Sequence, residues 1–305
     1  MTLSRRAFLQ SASLSLGAGF LDLPSITSSQ QLEQTFAEIR TNLLNMINEE
    51  REVEKVPKLQ IDELATRIAT EHAVDMAKNE YASHWGRDGL KPYHRYSFAG
   101  GTDATQENIS AADNTWSTKD KDLKQDTAYL HVRLYNEMPP HDGHRRAILA
   151  PQQTHVGFGL AVDHLRLRTV ELFVAKHVEV RPVSRHVKAE QEVPFTGKIL
   201  QRHGELSCVE VFYEPLPKTP EMSWLREPRA YSWPPESKVL RPKLQSPFVY
   251  RDRTRGEVDV FPDGTFSVPV KFFKKEPGIY TIVTWLKGGK SPKGFPVTEV
   301  CVRAE

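Results

Sequence analysis

The hydrophobic period of this chain changes once, near residue 150, and that change bounds what it can fold into. Before it, apolar residues recur at three- and four-residue steps. Leu32, Phe36, Ile39, Leu43, Met46 and Ile47 mark an amphipathic helix over residues 31–51. After a Pro57-Lys58-Leu59 break, Asp62 is placed to cap a second helix reaching about Tyr81. Within it Ala65, Ala69, Ala73 and Ala77 form a small-residue ridge at i+4, which would let another layer approach closely. Residues 82–124 read as loop-rich, with Gly86, Gly89, Gly100 and Gly101 and a polar run from Ser110 to Lys124. A third helix is expected over 125–137, ended by Pro139-Pro140, and a short one over 142–149. Past that point, 154–162 and 165–178 read as strands around Asp163-His164. Helices followed by strands within one block of domain size give an α+β layered domain.

At 305 residues, two domains are the natural division. Residues 181–192 are charged, contain Pro182 and lack a period, so they read as a linker. Residues 193–305 are nearly all strand, with turn signals at Pro262-Asp263-Gly264 and Pro277-Gly278. About seven short strands suggest an all-β Ig-like sandwich. The proline-rich stretch 214–250 reads as a long decorated connection. Few apolar contacts are expected between the halves, with each folding independently.

Composition removes several function classes. With 41 basic and 39 acidic residues the net charge is +2, so no nucleic-acid partner is expected. No apolar run reaches the ~18–20 residues of a membrane-spanning helix, so no transmembrane segment is expected. Cys208 and Cys301 are the only cysteines, which excludes zinc fingers, iron–sulfur clusters and disulfide-dense scaffolds. Strand alternation puts both on the more polar side of the sandwich. They would be cross-strand neighbours if the last strand pairs with 206–213, so a bridge and two free thiols both remain open. No G-x-S-x-G or P-loop string occurs, which leaves serine and phosphate chemistries without support.

The N-terminus reads Ser4-Arg5-Arg6-Ala7-Phe8-Leu9-Gln10, followed by a weakly apolar stretch from Ser11 to Leu23. It resembles a twin-arginine signal peptide over residues 1–28, which implies export to the periplasm or beyond. No cysteine lies near the apolar stretch to carry a lipid anchor.

Four residues stand out as candidates for chemistry: His84 before Trp85, Glu107 before Asn108, Glu137 after Asn136, and His144 in Gly143-His144-Arg145. Each has a plainer alternative. His84 can pack on Trp85, and Glu107 can cap a helix starting at Ser110. Glu137 can be a surface residue at a helix C-terminus, where the dipole disfavours an acid. His144 can be a dipole-stabilised histidine, and His141, three residues earlier, competes with it. His72 sits mid-helix and reads as a hydrogen-bonded core histidine. Asn108 reads as a residue that fixes backbone.

These residues fall within an ordered set of motifs. Asn48-Glu49-Glu50-Arg51 ends the first helix. Leu59 and Asp62 open the second, which carries Ala69-Thr70-Glu71-His72-Ala73-Val74-Asp75-Met76. Val156-Gly157-Phe158-Gly159 follows Gly143-His144-Arg145. In that order, over about 38–178, the chain resembles a bacterial CAP domain (the SCP-like, cysteine-rich secretory, antigen 5 and pathogenesis-related class). The resemblance implies an αβα-layered domain over 31–180. It also implies a cleft where His84 and His144 are metal ligands, for Zn²⁺ or another divalent ion, bordered by Glu107 and Glu137. Two imidazoles can hold zinc while leaving positions for water. Nearby carboxylates can take a proton from that water or fix the imidazole tautomer. Sharing one metal would bring the two ring nitrogens within roughly 4 Å. The chain has Gly143-His144-Arg145-Arg146 where eukaryotic members continue aromatic-Thr-Gln, and it lacks their disulfides, so their lipid and sterol binding is not carried over. Two functions follow: an exported module binding an extracellular or envelope ligand, or a metal-dependent hydrolase of peptide, peptidoglycan or nucleic acid with Glu107 or Glu137 as base.

Overall fold

A computed structural model describes residues 28–113, 123–200, 204–288 and 294–305. The twin-arginine motif lies outside the described residues. The first half runs α1 (Ser28–Val53), β1 (Gln60–Ile61), α2 (Glu63–Lys78), α3 (Pro92–Phe98), β2 (Ala104–Asp113), α4 (Leu123–Tyr135), α5 (Gly143–Ile148), β3 (His155–Asp163) and β4 (Arg166–Ala175). Its sheet has the order β1-β3-β4-β2, which leaves β2 at an edge. One face packs Val156, Phe158, Leu160 and Phe173 against Phe36, Ile39, Leu43 and Ile47 of α1. The other packs Val170, Leu172 and Val174 against the α2 ridge. The result is α+β, with helices on both faces of one sheet.

The small-residue motifs explain the tight layer. A Cβ on Gly157 would stand 2.1 Å from the Thr66 nitrogen, and one on Gly159 2.1 Å from Ala69 backbone. Any side chain there would lift α2 off the sheet. The Asp62 carboxylate accepts the Ala65 N–H at 2.5 Å, as the expected cap requires. Asn48 exchanges two hydrogen bonds with the Leu59 backbone, fixing the turn between α1 and β1.

The loop-rich reading of 82–124 is overturned in part. α3 and the ten-residue β2 lie within it, and β2 pairs with β4 from Ala104↔Ala175 to Asp113↔Arg166. Ala104–Asp113 carries little β-branched or aromatic signal; pairing along its whole length with the apolar β4 makes it a strand.

The second half contains β5 (Val178–Val180), β6 (His186–Val187), β7 (Glu192–Ile199), β8 (Leu206–Glu214), α6 (Met222–Leu225), β9 (Ser237–Leu240), β10 (Asp259–Val260), β11 (Thr265–Lys271), β12 (Gly278–Leu286), β13 (Phe295–Pro296) and β14 (Val300–Ala304). One sheet has the order β10-β11-β7-β5, the other β6-β14-β12-β8-β9 with β13 on β12. Phe195, Phe266 and Val268 of the first share a core with Val209, Tyr280, Ile282 and Val302 of the second. The stretch 181–192 is not a bare linker, because β6 within it pairs with β14.

The expectation of sparse contact between the halves does not hold. The outer face of the β8/β12/β14 sheet is covered by α3 and by the 228–233 segment, with Tyr93, Leu90 and Phe98 against Ile279 and Cys301. The early part of the connection, residues 217–233, is a strap laid on the first half, while β9 later in it joins the second half's own sheet. Leu225 is 0% exposed within the α2-side core. Trp224 meets Trp85 edge to face at 5.2 Å. The second half also ends the sheet edge: the Thr105 N–H donates to Glu299 Oε2, just before β14, at 2.8 Å, and the Glu107 N–H to the Tyr231 hydroxyl of the strap at 2.9 Å. Unpaired edge donors are thereby satisfied by side chains from the second half.

The cysteines follow from the same arrangement. Cys208 lies opposite Trp285 and Cys301 opposite Thr281, so β12 separates their strands and they are not cross-strand neighbours. Both are buried, and the face they occupy is a covered one. Burial pushes the Cys301 thiol up to about 12. Thiol titration is expected to give no rapid reaction in the native protein and two thiols per chain after denaturation without reductant. Zero thiols after denaturation would refute this.

Candidate functional site

The site lies along the β2 edge. Strand alternation sends Glu107 to the α2/α3 face and Asn108 to the α4/α5 face. His84 is brought to Glu107 by the loop after α2: its Nδ1 lies 2.9 Å from Glu107 Oε1, the geometry of an N–H donating to a carboxylate. Arg95 of α3 donates to Glu107 Oε2 at 2.7 Å and to the His84 carbonyl at 2.7 Å. Burial alone would raise the Glu107 carboxyl, but Arg95 and His84 outweigh it and hold it down to about 2. Glu107 therefore does not cap a helix; it is an ionised strand residue clamped between an arginine and a histidine.

The second pair repeats the pattern. His144 Nδ1 lies 2.5 Å from Glu137 Oε1, and the His144 backbone N–H donates to Glu137 Oε2 at 3.0 Å. Glu137 thus sits at the start of α5, where an acid is favoured, rather than suffering the end of α4. His84, Glu107, Glu137 and His144 all line one cavity of about 1200 Å³, and exposed His141 lies on its wall. Among the described residues no group of three or more His, Cys, Asp or Glu is set to hold a metal. What the residues offer a metal is two imidazoles, each with Nδ1 engaged by a carboxylate and Nε2 left as the ligating nitrogen. Outer carboxylates of this kind fix the tautomer and raise ligand basicity.

Asn108 does fix backbone: its Nδ2 donates to the His144 carbonyl at 3.2 Å and to Glu171 Oε2 at 3.0 Å. His72 is a core residue, with Nε2 2.7 Å from the Ser83 carbonyl, and burial lowers it to about 4. Sequence reasoning missed Arg95, Tyr231 and a buried ion cluster behind the site. Tyr231 lies with its ring centroid 4.8 Å from that of His84. In the cluster, His131 Nδ1 lies 2.6 Å from Glu171 and Nε2 3.0 Å from Glu50. Its only sequence signal is a histidine on the same helix face as Thr127 and Leu134.

Burial by itself would lower His131, but Glu171 and Glu50 outweigh it and hold the imidazolium up to about 10. The folded value is above the 6.5 of the free side chain, so the stabilisation is complete below about pH 6.5 and is lost as pH rises towards 10. Urea unfolding is therefore expected to show falling stability from pH 7 to 10. Glu171→Gln should flatten that slope; an unchanged slope would refute the assignment.

Residues 44–173 match the family model of CAP, the cysteine-rich secretory protein family. Among solved structures, an outer surface protein of Borrelia burgdorferi is 19% identical, with a TM-score of 0.37 over 45% of this chain and 92% of that one. An extracellular protein of Bacillus anthracis containing an SCP domain is 23% identical, with a TM-score of 0.36 over 46% of this chain and 41% of that one. This chain thus spans about two fifths of the length of the second protein. No curated protein matches the chain. The αβα first half and its ordered motifs thus coincide with the stretch, residues 44–173, that matches the CAP family model.

Proposed function

We propose that this is an exported, ligand-binding CAP module whose cleft holds a divalent metal, Zn²⁺ or a similar ion, at His84 and His144. The observation that carries the reading is the repeated His–Glu pair on one cavity wall, each Nδ1 engaged and each Nε2 left for a ligand. Glu107 and Glu137 then act as orienting carboxylates. Bound metal would supply a Lewis acid and a bound water in the cleft. The rest of the proposal is export through the twin-arginine motif at residues 1–28 to the periplasm or the outside, and an Ig-like identity for the second half. Among the described residues no helix is long and apolar enough to cross a membrane.

Zinc titration of the full chain by calorimetry tests the metal centre. Saturable binding is expected, abolished in His84→Ala and in His144→Ala. Glu107→Gln should weaken it by about 10–100-fold, the usual effect of losing an outer partner. Zinc binding unaffected by both histidine substitutions would overturn the assignment, as would no binding at millimolar zinc.

A further inference from the structure

The cavity has a second wall of different chemistry, and most of it comes from the second half. Tyr93, Tyr231, Trp233, Trp285 and Phe295 line it, while Ile109 is the only branched aliphatic among the described lining residues. An acyl chain or sterol would be expected to meet branched aliphatic side chains; here it would meet flat rings. The same cavity is lined by neutral hydrogen-bonding groups, notably Gln106, Gln152 and Gln153. Tyr231 and Trp233 are half-buried and held in place: the Tyr231 hydroxyl accepts the Glu107 N–H, and Trp233 Nε1 donates to Glu299 Oε1 at 2.8 Å. Such anchoring leaves rigid ring surface at little entropic cost on binding.

Gln153 adds an independent observation. It lines the cavity, is 3% exposed and donates through Nε2 to Gln106 Oε1 at 3.0 Å. Its own Oε1 is buried without a hydrogen-bond partner. A buried acceptor left unmade is a cost that an incoming O–H or N–H donor removes.

A ligand that presents flat apolar faces and a rim of donors fits both walls. We propose that the cleft takes an oligosaccharide, with sugar rings on Tyr231 and Trp233 and hydroxyl or acetamido N–H groups reaching Gln153 and the carboxylates. The proposal rests on reading the cleft as a ligand site, and it makes the strap part of that site. A cavity of about 1200 Å³ exceeds the ~300–1,000 Å³ of a drug-sized pocket and has room for more than one ring.

The test is a titration of the full chain, by calorimetry and tryptophan fluorescence. The probes are the β-1,4 tetramers of N-acetylglucosamine and of glucose, with tetra-alanine and laurate as comparators. At least one tetrasaccharide should bind with Kd below about 1 mM. Trp233→Ala should weaken it about tenfold. Gln106 is exposed, so Gln106→Ala keeps the fold and should weaken binding severalfold, which carries the test if Trp233→Ala melts early. The proposal is overturned if neither tetrasaccharide binds, if tetra-alanine or laurate binds in their place, or if folded variants bind as tightly as the wild type. Zinc is titrated into the same samples. Zinc binding without sugar binding sinks this inference alone, and sugar binding without zinc binding sinks the metal centre alone.

Discussion

Cutting the chain after residue 180 is expected to leave a first half that melts far below the intact protein. The strap supplies Leu225, which is 0% exposed in the core on the α2 side, and truncating one buried leucine to alanine typically costs ~2–5 kcal/mol. The cut also takes away the acceptors for the Thr105 and Glu107 N–H groups and the ring beside His84. A domain has only about 5–15 kcal/mol of stability to lose. A loss of about 5 kcal/mol lowers Tm by roughly 10–20 °C at this size. Circular dichroism of residues 29–180 should show a weakened or absent near-ultraviolet signal, and the full chain should melt in one transition. A fragment melting within a few degrees of the full chain would show that the strap is dispensable.

The second large effect is expected at Arg51, the last residue of the Asn48-Glu49-Glu50-Arg51 motif. It is 0% exposed and donates to the carbonyls of Pro57, Ile148, Ala150 and Gln153 at 2.6, 2.6, 3.1 and 3.3 Å. Burial lowers its guanidinium to about 10, so it stays charged at neutral pH. One side chain thereby joins the end of α1 to the segment between α5 and β3. Arg51→Met fills most of the volume but strips the carbonyls of Pro57, Ile148 and Gln153 of the guanidinium, at about 1–3 kcal/mol for each one left buried, while Ala150 keeps the Gln153 N–H at 3.1 Å. Urea unfolding should show a loss of at least ~3 kcal/mol. Arg51→Lys should rescue little, because an ammonium lacks the planar fork that spans separate acceptors. A loss under about 1 kcal/mol in Arg51→Met would mean that water or a backbone shift replaces the guanidinium.

What was legible in the sequence was local. The α1 and α2 stripes, the alanine ridge and the Asp62 cap were visible because period and capping act over a few residues. His84, Glu107, Glu137 and His144 were visible because their motifs keep an order. The strand identity of Ala104–Asp113 was hidden, since its long pairing with β4 overrides a polar composition. Arg95 and Tyr231 carried no local signal; both gain their meaning from Glu107, and Tyr231 lies 124 residues away from it. Alternation marked one face of the second half as polar because Glu210 and Glu299 lie on it. Both are buried, under a layer that the strap and α3 supply. Burial pushes the Glu299 carboxyl up to about 7, the mark of an acid enclosed by another part of the chain.

The edge contacts also set a timetable for synthesis. Thr105 waits for Glu299, which lies 194 residues later in the chain. At about 5–20 residues per second, the ribosome takes roughly 10–40 s to deliver it. Throughout that interval the Thr105 N–H at the β2 edge lacks its native acceptor, whereas the Glu107 N–H gains Tyr231 after 124 residues. The acceptor that completes this edge of the first half thus arrives from the residue just before β14, long after the first half has been made.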